Sequence, residues 1–349
     1  MPNDTHDDIR RLLVDAVADL PALAPAPQRT VRKARHRVAA TVSALAVVIA
    51  LAVGGFLAAA GPFTRSMPAS HGDDQHGTWI VDTDTGSATR LDGLPHRAFW
   101  FDAAQDGSTL AFAANSHGRT QVYLSAADGS DPHVVTHDPY EGSQPALSPD
   151  ASMLAYAGFG GEEGRNLFVE DLTTGRVRQL THERHDVSEL AWSPDGNSIL
   201  YSISIRGLRS AKIFDPGASS LLKIADVSTG IARTIAGTHR AAADFGAWSP
   251  DGRLIAYMTG HEWTDNSYGF DPAVIWVMDA DGSNRRRVVT FDARAFGVTW
   301  TPDGNLAFSR LDGDVFNTYE LDPENGQMTL LTSGFLPVWI NDHTLIVER

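Results

Sequence analysis

Six times along this chain an apolar strand runs into a short polar turn and out again into a second apolar strand. The clearest copies read LSPDASMLAYA from Leu147, WSPDGNSILYS from Trp192, WSPDGRLIAYM from Trp248 and WTPDGNLAFSR from Trp300. Weaker copies read AAQDGSTLAFA from Ala103 and WINDHTLIVE from Trp339. Their aspartates, Asp106, Asp150, Asp195, Asp251, Asp303 and Asp342, are separated by 44, 45, 56, 52 and 39 residues. A period of this size means units that bury their faces only against one another, as in an array or a propeller.

Each unit has one internal plan. An apolar strand ends near Trp, a Ser-Pro-Asp-Gly turn follows, and a second strand with alternating apolar residues ends in Tyr or Phe. After a variable stretch comes a hairpin such as NLFVEDLTTGRVRQLT. Four strands per unit make a propeller blade. In the turn, Pro presets φ, Asp bonds local amides and Gly tolerates the exit geometry, so the motif is explained without a ligand. At the start, GTWIVDTDTGSATRL holds only the last two strands of a unit, and at the end LPVWINDHTLIVER holds only the first two. Together they complete one blade, which predicts an all-β, six-bladed β-propeller over residues 77–349, closed by strands from both ends.

The Leu-Thr tail followed by x-Trp-Ser-Pro-Asp-Gly and an apolar-x-Tyr strand resembles the TolB-type (WD-like) β-propeller repeat. That resemblance implies a bacterial envelope propeller, or a propeller attached to another module, that binds proteins or acts as a scaffold. The chain departs from the periplasmic members, whose propeller follows a small α/β domain after a signal peptide.

Here an apolar segment precedes the repeats instead. From Val38 to Thr64 there is no charged residue, and the stretch ALAVVIALAVGGFLAAAG is long enough to cross the hydrocarbon layer as a helix. Arg29, Arg32, Lys33, Arg35 and Arg37 stand before it and only Arg65 just after. The positive-inside rule then predicts residues 1–37 in the cytoplasm, a single transmembrane helix over 38–61, a linker over 62–76 and an outward propeller at the plasma membrane. A cleaved signal peptide is the rival, opposed by the long preceding region and the long apolar core. In the tail, Ile9, Leu12, Leu13 and Val17 share one face of a short helix, a surface for a cytoplasmic regulatory protein.

The formal net charge is −15, and residues 1–37 hold seven Arg or Lys against five Asp, so the remainder is more acidic still. That balance argues against a nucleic-acid groove. The absence of cysteine excludes disulfides and thiolate chemistry. No Gly-x-Ser-x-Gly nucleophile elbow occurs, and the chain reads as a binding protein and not an enzyme, with no cofactor.

Two groups of residues stand out. His96, His137, His182 and His239 occupy one position of four blades, with His185 beside His182, and so mark a channel mouth. A histidine-rim metal site in a surface-anchored lyase or lactonase is the alternative they raise. The long spacings localise insertions between second and third strands, where Phe214, and then Trp263, Tyr268 and Phe270, form a candidate lip for a protein, peptide or glycan. A sensor or regulator signalling through its tail is the favoured elaboration, and a passive envelope scaffold a further alternative.

Overall fold

A computed structural model of the chain describes residues 77–95, 97–116, 118–136, 142–159, 164–205, 219–237, 242–262 and 270–349. The proposed tail, transmembrane helix and linker lie outside them. Among the described residues there are 24 strands and no helix long and apolar enough to cross a membrane.

The strands fall into six blades of four. The chain enters with β1 (Thr78–Asp82) and β2 (Ala88–Arg90). Blade 1 comprises β3 (Ala98–Ala103), β4 (Thr109–Ser116), β5 (Arg119–Ala126) and β6 (His133–Val134). Blade 2 comprises β7 (Gly142–Leu147), β8 (Met153–Phe159), β9 (Arg165–Asp171) and β10 (Arg176–Gln179), and blade 3 β11 (Asp186–Trp192), β12 (Ser198–Ile205), β13 (Ser219–Asp226) and β14 (Ala232–Ala236). Blade 4 is β15 (Ala242–Trp248), β16 (Leu254–Glu262), β17 (Phe270–Asp279) and β18 (Arg286–Phe291). Blade 5 is β19 (Ala295–Trp300), β20 (Leu306–Asp312), β21 (Val315–Leu321) and β22 (Met328–Ser333). The last blade has the order β2, β1, β24 (Thr344–Glu348), β23 (Phe335–Asn341), with Ile80 opposite Ile346. The expected closure by both ends is therefore present, and the last blade has its full four strands.

The turn motif works as its chemistry requires. Asp195 Oδ1 accepts from the Ser193 hydroxyl at 2.6 Å and the Asn197 amide at 3.0 Å, while Ser193 Oγ accepts from the Ser198 amide at 2.9 Å. The same bonds recur at Asp150 and Asp251. Gly196 sits at φ 71°, a left-handed conformation that costs glycine little, and in blade 2 Ala151 is held there at φ 52°.

The core is a ring of layers between blades. Leu124 of blade 1 packs with Tyr156 and Phe168 of blade 2, and Val169 of blade 2 with Trp192 and Tyr201 of blade 3. The motif tryptophans also tie blades by polar bonds, since Trp192 Nε1 donates to the Ala146 carbonyl at 2.9 Å and Trp300 Nε1 to the Ala247 carbonyl at 3.1 Å. In four blades the aromatic of the second strand stacks on its cross-strand neighbour, as in Tyr156 with Phe168 at 5.6 Å and Phe308 with Tyr319 at 5.9 Å. Arginines on the outer strands of blades 2, 3 and 4 each clip their blade to the next. Arg178 donates to the Val227 carbonyl, Arg233 to the Asp281 carbonyl at 2.9 Å, and Arg286 to the Pro323 carbonyl at 2.7 Å.

Candidate functional site

The innermost strands, β3, β7, β11, β15, β19 and β23, surround the central channel, and every one carries a bulge at the same place. The pairing with the second strand slips between Phe99 and Asp102, Ser143 and Ala146, Ser188 and Ala191, Asp244 and Ala247, Phe296 and Thr299, and Phe335 and Val338. The residue at the slip has positive φ each time: Trp100, Gln144, Glu189, Phe245, Gly297 and Leu336. A bulge takes its residue out of the ladder and bends the strand, which frees the residue's main-chain groups and aims its side chain away from the pleat.

The freed amides explain most of the polar residues around the channel. Leu336 N–H donates to Ser309 Oγ at 3.0 Å, Phe245 N–H to Asp244 Oδ1 at 2.9 Å, and Glu189 N–H to Gln144 Oε1 at 3.3 Å. Trp100 N–H lies beside the Glu348 carboxylate of the closing blade and holds it down, but burial is the larger effect and pushes that acid up to about 7. Asp102 accepts from the Leu147 amide of blade 2 at 2.7 Å, and burial raises it to about 6.

Glu189 differs from these acids. Glu189 caps no bulge, and its Oε1 receives only Gln144 Nε2, at 3.1 Å across the joint between blades 2 and 3. Desolvation first, and repulsion from Asp244 of the next blade second, push Glu189 up to about 8. Asp244 is raised as well, by burial. The hydroxyls of Ser202 and Ser220 lie beside it and hold it down, although neither makes a well-aligned hydrogen bond. Two acids on adjacent inner strands, both raised by burial and one further by the other's charge, form a candidate binding or acid–base centre.

The histidine loop of blade 3 is built differently from a metal rim. Its anchor is Glu183, whose carboxylate accepts from Tyr201 Oη at 2.7 Å and Lys223 Nζ at 2.5 Å. Lys223 stands where other blades put the stacking aromatic, opposite Tyr201. His182 is exposed, with Nδ1 3.1 Å from Gln179 Nε2, and His185 is half-buried. Among the described residues no three His, Asp or Glu side chains gather to hold a metal. His96, His137 and His239 lie outside the described residues, as do Phe214, Trp263, Tyr268 and the tail positions Ile9, Leu12, Leu13 and Val17. Phe270, expected on the lip, is 2 % exposed and packs edge-on against Phe245 at 6.0 Å, so it belongs to the core beneath the insertion.

Glu189, Asp244, Gln144, Asp102 and Glu348 did not stand out in the sequence. Their signal is an acid or amide inside an apolar strand run, as in VSELAW and AADFGAW, which the repeat alignment makes visible.

No family model matches the chain. Among curated proteins it is similar to an uncharacterized peptidase, YuxL, of Bacillus subtilis (strain 168), 25% identical over 197 residues, covering 47% of this chain and 30% of that protein. It is similar also to the protein TolB homolog of Chlorobium chlorochromatii (strain CaD3), 25% identical over 153 residues, covering 44% of this chain and 31% of that one. The matches thus span about a third of these relatives. Among solved structures, a putative TolB from Agrobacterium tumefaciens superposes with a TM-score of 0.62 at 19% identity, over 79% of this chain and 98% of the other. An oligogalacturonate lyase in complex with manganese superposes at 0.51 and 22% identity, over 74% of each chain. These neighbours correct the expectation that the chain is no enzyme: a peptidase and a lyase carry propellers of this kind, and the missing nucleophile elbow tests for only one chemistry. The described residues form a TolB-like six-bladed β-propeller.

Proposed function

We propose that this protein is a binding propeller of the cell envelope whose channel receives a cationic segment of a protein or peptide partner. The carrying observation is the Glu189 and Asp244 pair on adjacent inner strands, with Gln144 bonded to it. Two acids that share one proton take up a lysine, arginine or terminal amine by releasing that proton, since the incoming cation removes the repulsion that raised them. The TolB-like fold and the two TolB-type similarities support a protein partner. Residues 38–61 hold the propeller at the plasma membrane with residues 1–37 inside, and the helix face of Leu12 and Leu13 passes the bound state to a cytoplasmic regulator.

The test is crosslinking capture of partners from membranes, followed by binding of the captured segment as a lysine-containing peptide. Affinity is expected to rise about tenfold per pH unit through the range where Glu189 titrates, as for release of one proton, and to lose that dependence in Glu189→Gln. Binding that ignores both pH and the Glu189→Gln, Asp244→Asn double variant would overturn the reading. The same pair favours a second reading, acid–base catalysis on the bound segment, because the two acids hold their proton unequally; turnover of the captured peptide, lost in Glu189→Gln, would establish it.

A further inference from the structure

Every blade ends in an outer strand with one unpaired edge, and such edges are usually guarded by charge or shortness. Five of the six obey this. β2 has three residues with Arg90, β6 two with His133, β10 carries Arg176 and Arg178, β14 Arg233, and β18 Arg286 and Arg287. β22, MTLLTS, has six residues and no charge, and it exposes Met328 at 40% and Leu330 at 56%.

The free backbone coincides with these side chains. Asp322 N–H donates to the Gln327 carbonyl, so that pair is a hydrogen-bonded site of the β21–β22 ladder. Such sites alternate along an antiparallel pair, and Met328 and Leu330, opposite Leu321 and Tyr319, fall between them. Their N–H and C=O groups therefore point outward, away from β21.

We propose that β22 is a self-association edge, at which a second copy of this chain adds its own β22 antiparallel to the first. Charge selects this occupant. Any other outer strand of the chain longer than three residues would set an arginine on the apolar ribbon, whereas β22 meets itself without a charge. Antiparallel pairing also separates the acidic turns of the two copies. It carries Asp322 and Glu324 of each toward the end where the other's Arg349 guanidinium holds Thr332 and Ser333. The result is a two-fold symmetric, isologous contact.

Because the chain has no cysteine, single substitutions report the contact directly. In full-length protein in detergent micelles, Leu330→Cys should form disulfide-linked dimers at least tenfold faster than Ile231→Cys, although Ile231 is the more exposed at 73%. Adding Met328→Lys to Leu330→Cys should return the rate to that of the control. Sedimentation of the unsubstituted chain, which needs no variant to fold, should show dimers that dissociate on dilution. Equal crosslinking at the two positions, a monomer at all concentrations, or crosslinking of the Leu330→Cys variant mainly to a different protein in membranes would each overturn the proposal.

Discussion

Replacing Glu189 by glutamine should raise the stability of the propeller at alkaline pH and leave it nearly unchanged near pH 5. Folded Glu189 binds its proton up to about pH 8 against an ordinary value of 4.5, because the fold buries it and sets Asp244 beside it. An acid raised on folding leaves stability intact below its unfolded pKa and removes it as pH climbs through the folded one. Glutamine keeps the bond from Gln144 Nε2, since an amide oxygen accepts as a carboxylate does, and the Glu189 main-chain bond to Gln144 is untouched. Each pKa unit corresponds to ~1.4 kcal/mol, and solvent screening of the half-buried Glu189 together with its interaction with Asp244 reduces the total, so the relief at pH 9 is ~2 kcal/mol. For a domain of this size that is ~6 °C in Tm. Thermal unfolding of both proteins from pH 5 to pH 9 is the assay. The wild type is expected to lose Tm with rising pH, and the variant to lose less. Asp102 at about 6 and Glu348 at about 7 contribute the slope that remains. Parallel curves, or a variant less stable at pH 9, would refute the buried-pair argument.

Deleting Phe335 to Arg349 removes β23 and β24 and exposes β1 as an open edge, so the truncated protein should unfold or oligomerise; a monomer with unchanged melting would refute closure. Trp192→Phe loses the bond to the Ala146 carbonyl and should cost about 1 kcal/mol more than Trp248→Phe, because Trp248 Nε1 is buried without a partner; chemical denaturation of the two variants measures the difference. Asp195→Ala removes the hydrogen bonds that fix one turn and should lower stability by about 1 kcal/mol while leaving partner affinity intact. Calorimetric binding lost in a fully stable variant would show that the turn is a contact surface.

The fold was legible because each blade must solve the same packing problem with the same residues. Trp192, Pro194, Asp195 and Gly196 recur as a ruler, and the ruler alone counts blades and finds the split one. The site was less legible. Phe270 reads as an exposed aromatic in a long insertion, but it begins β17 and its ring is drawn into the layer around Phe245. Glu189 reads as one polar residue in a half-buried strand, where alternation permits it.

The sequence by itself determined the number of blades, the turn chemistry, the closure and a charge-free span before the propeller, since these follow from periodicity and composition along the chain. Only the tertiary structure decided which polar residues serve the fold and which remain available. A bulge in each inner strand frees one amide, and a side chain from the same or a neighbouring blade caps it in three of the six, from as far away in sequence as Gln144 is from Glu189. That pairing exists only once the ring has closed, and it is what leaves the Glu189 carboxylate, with Asp244 on the next inner strand, bonded by no backbone amide.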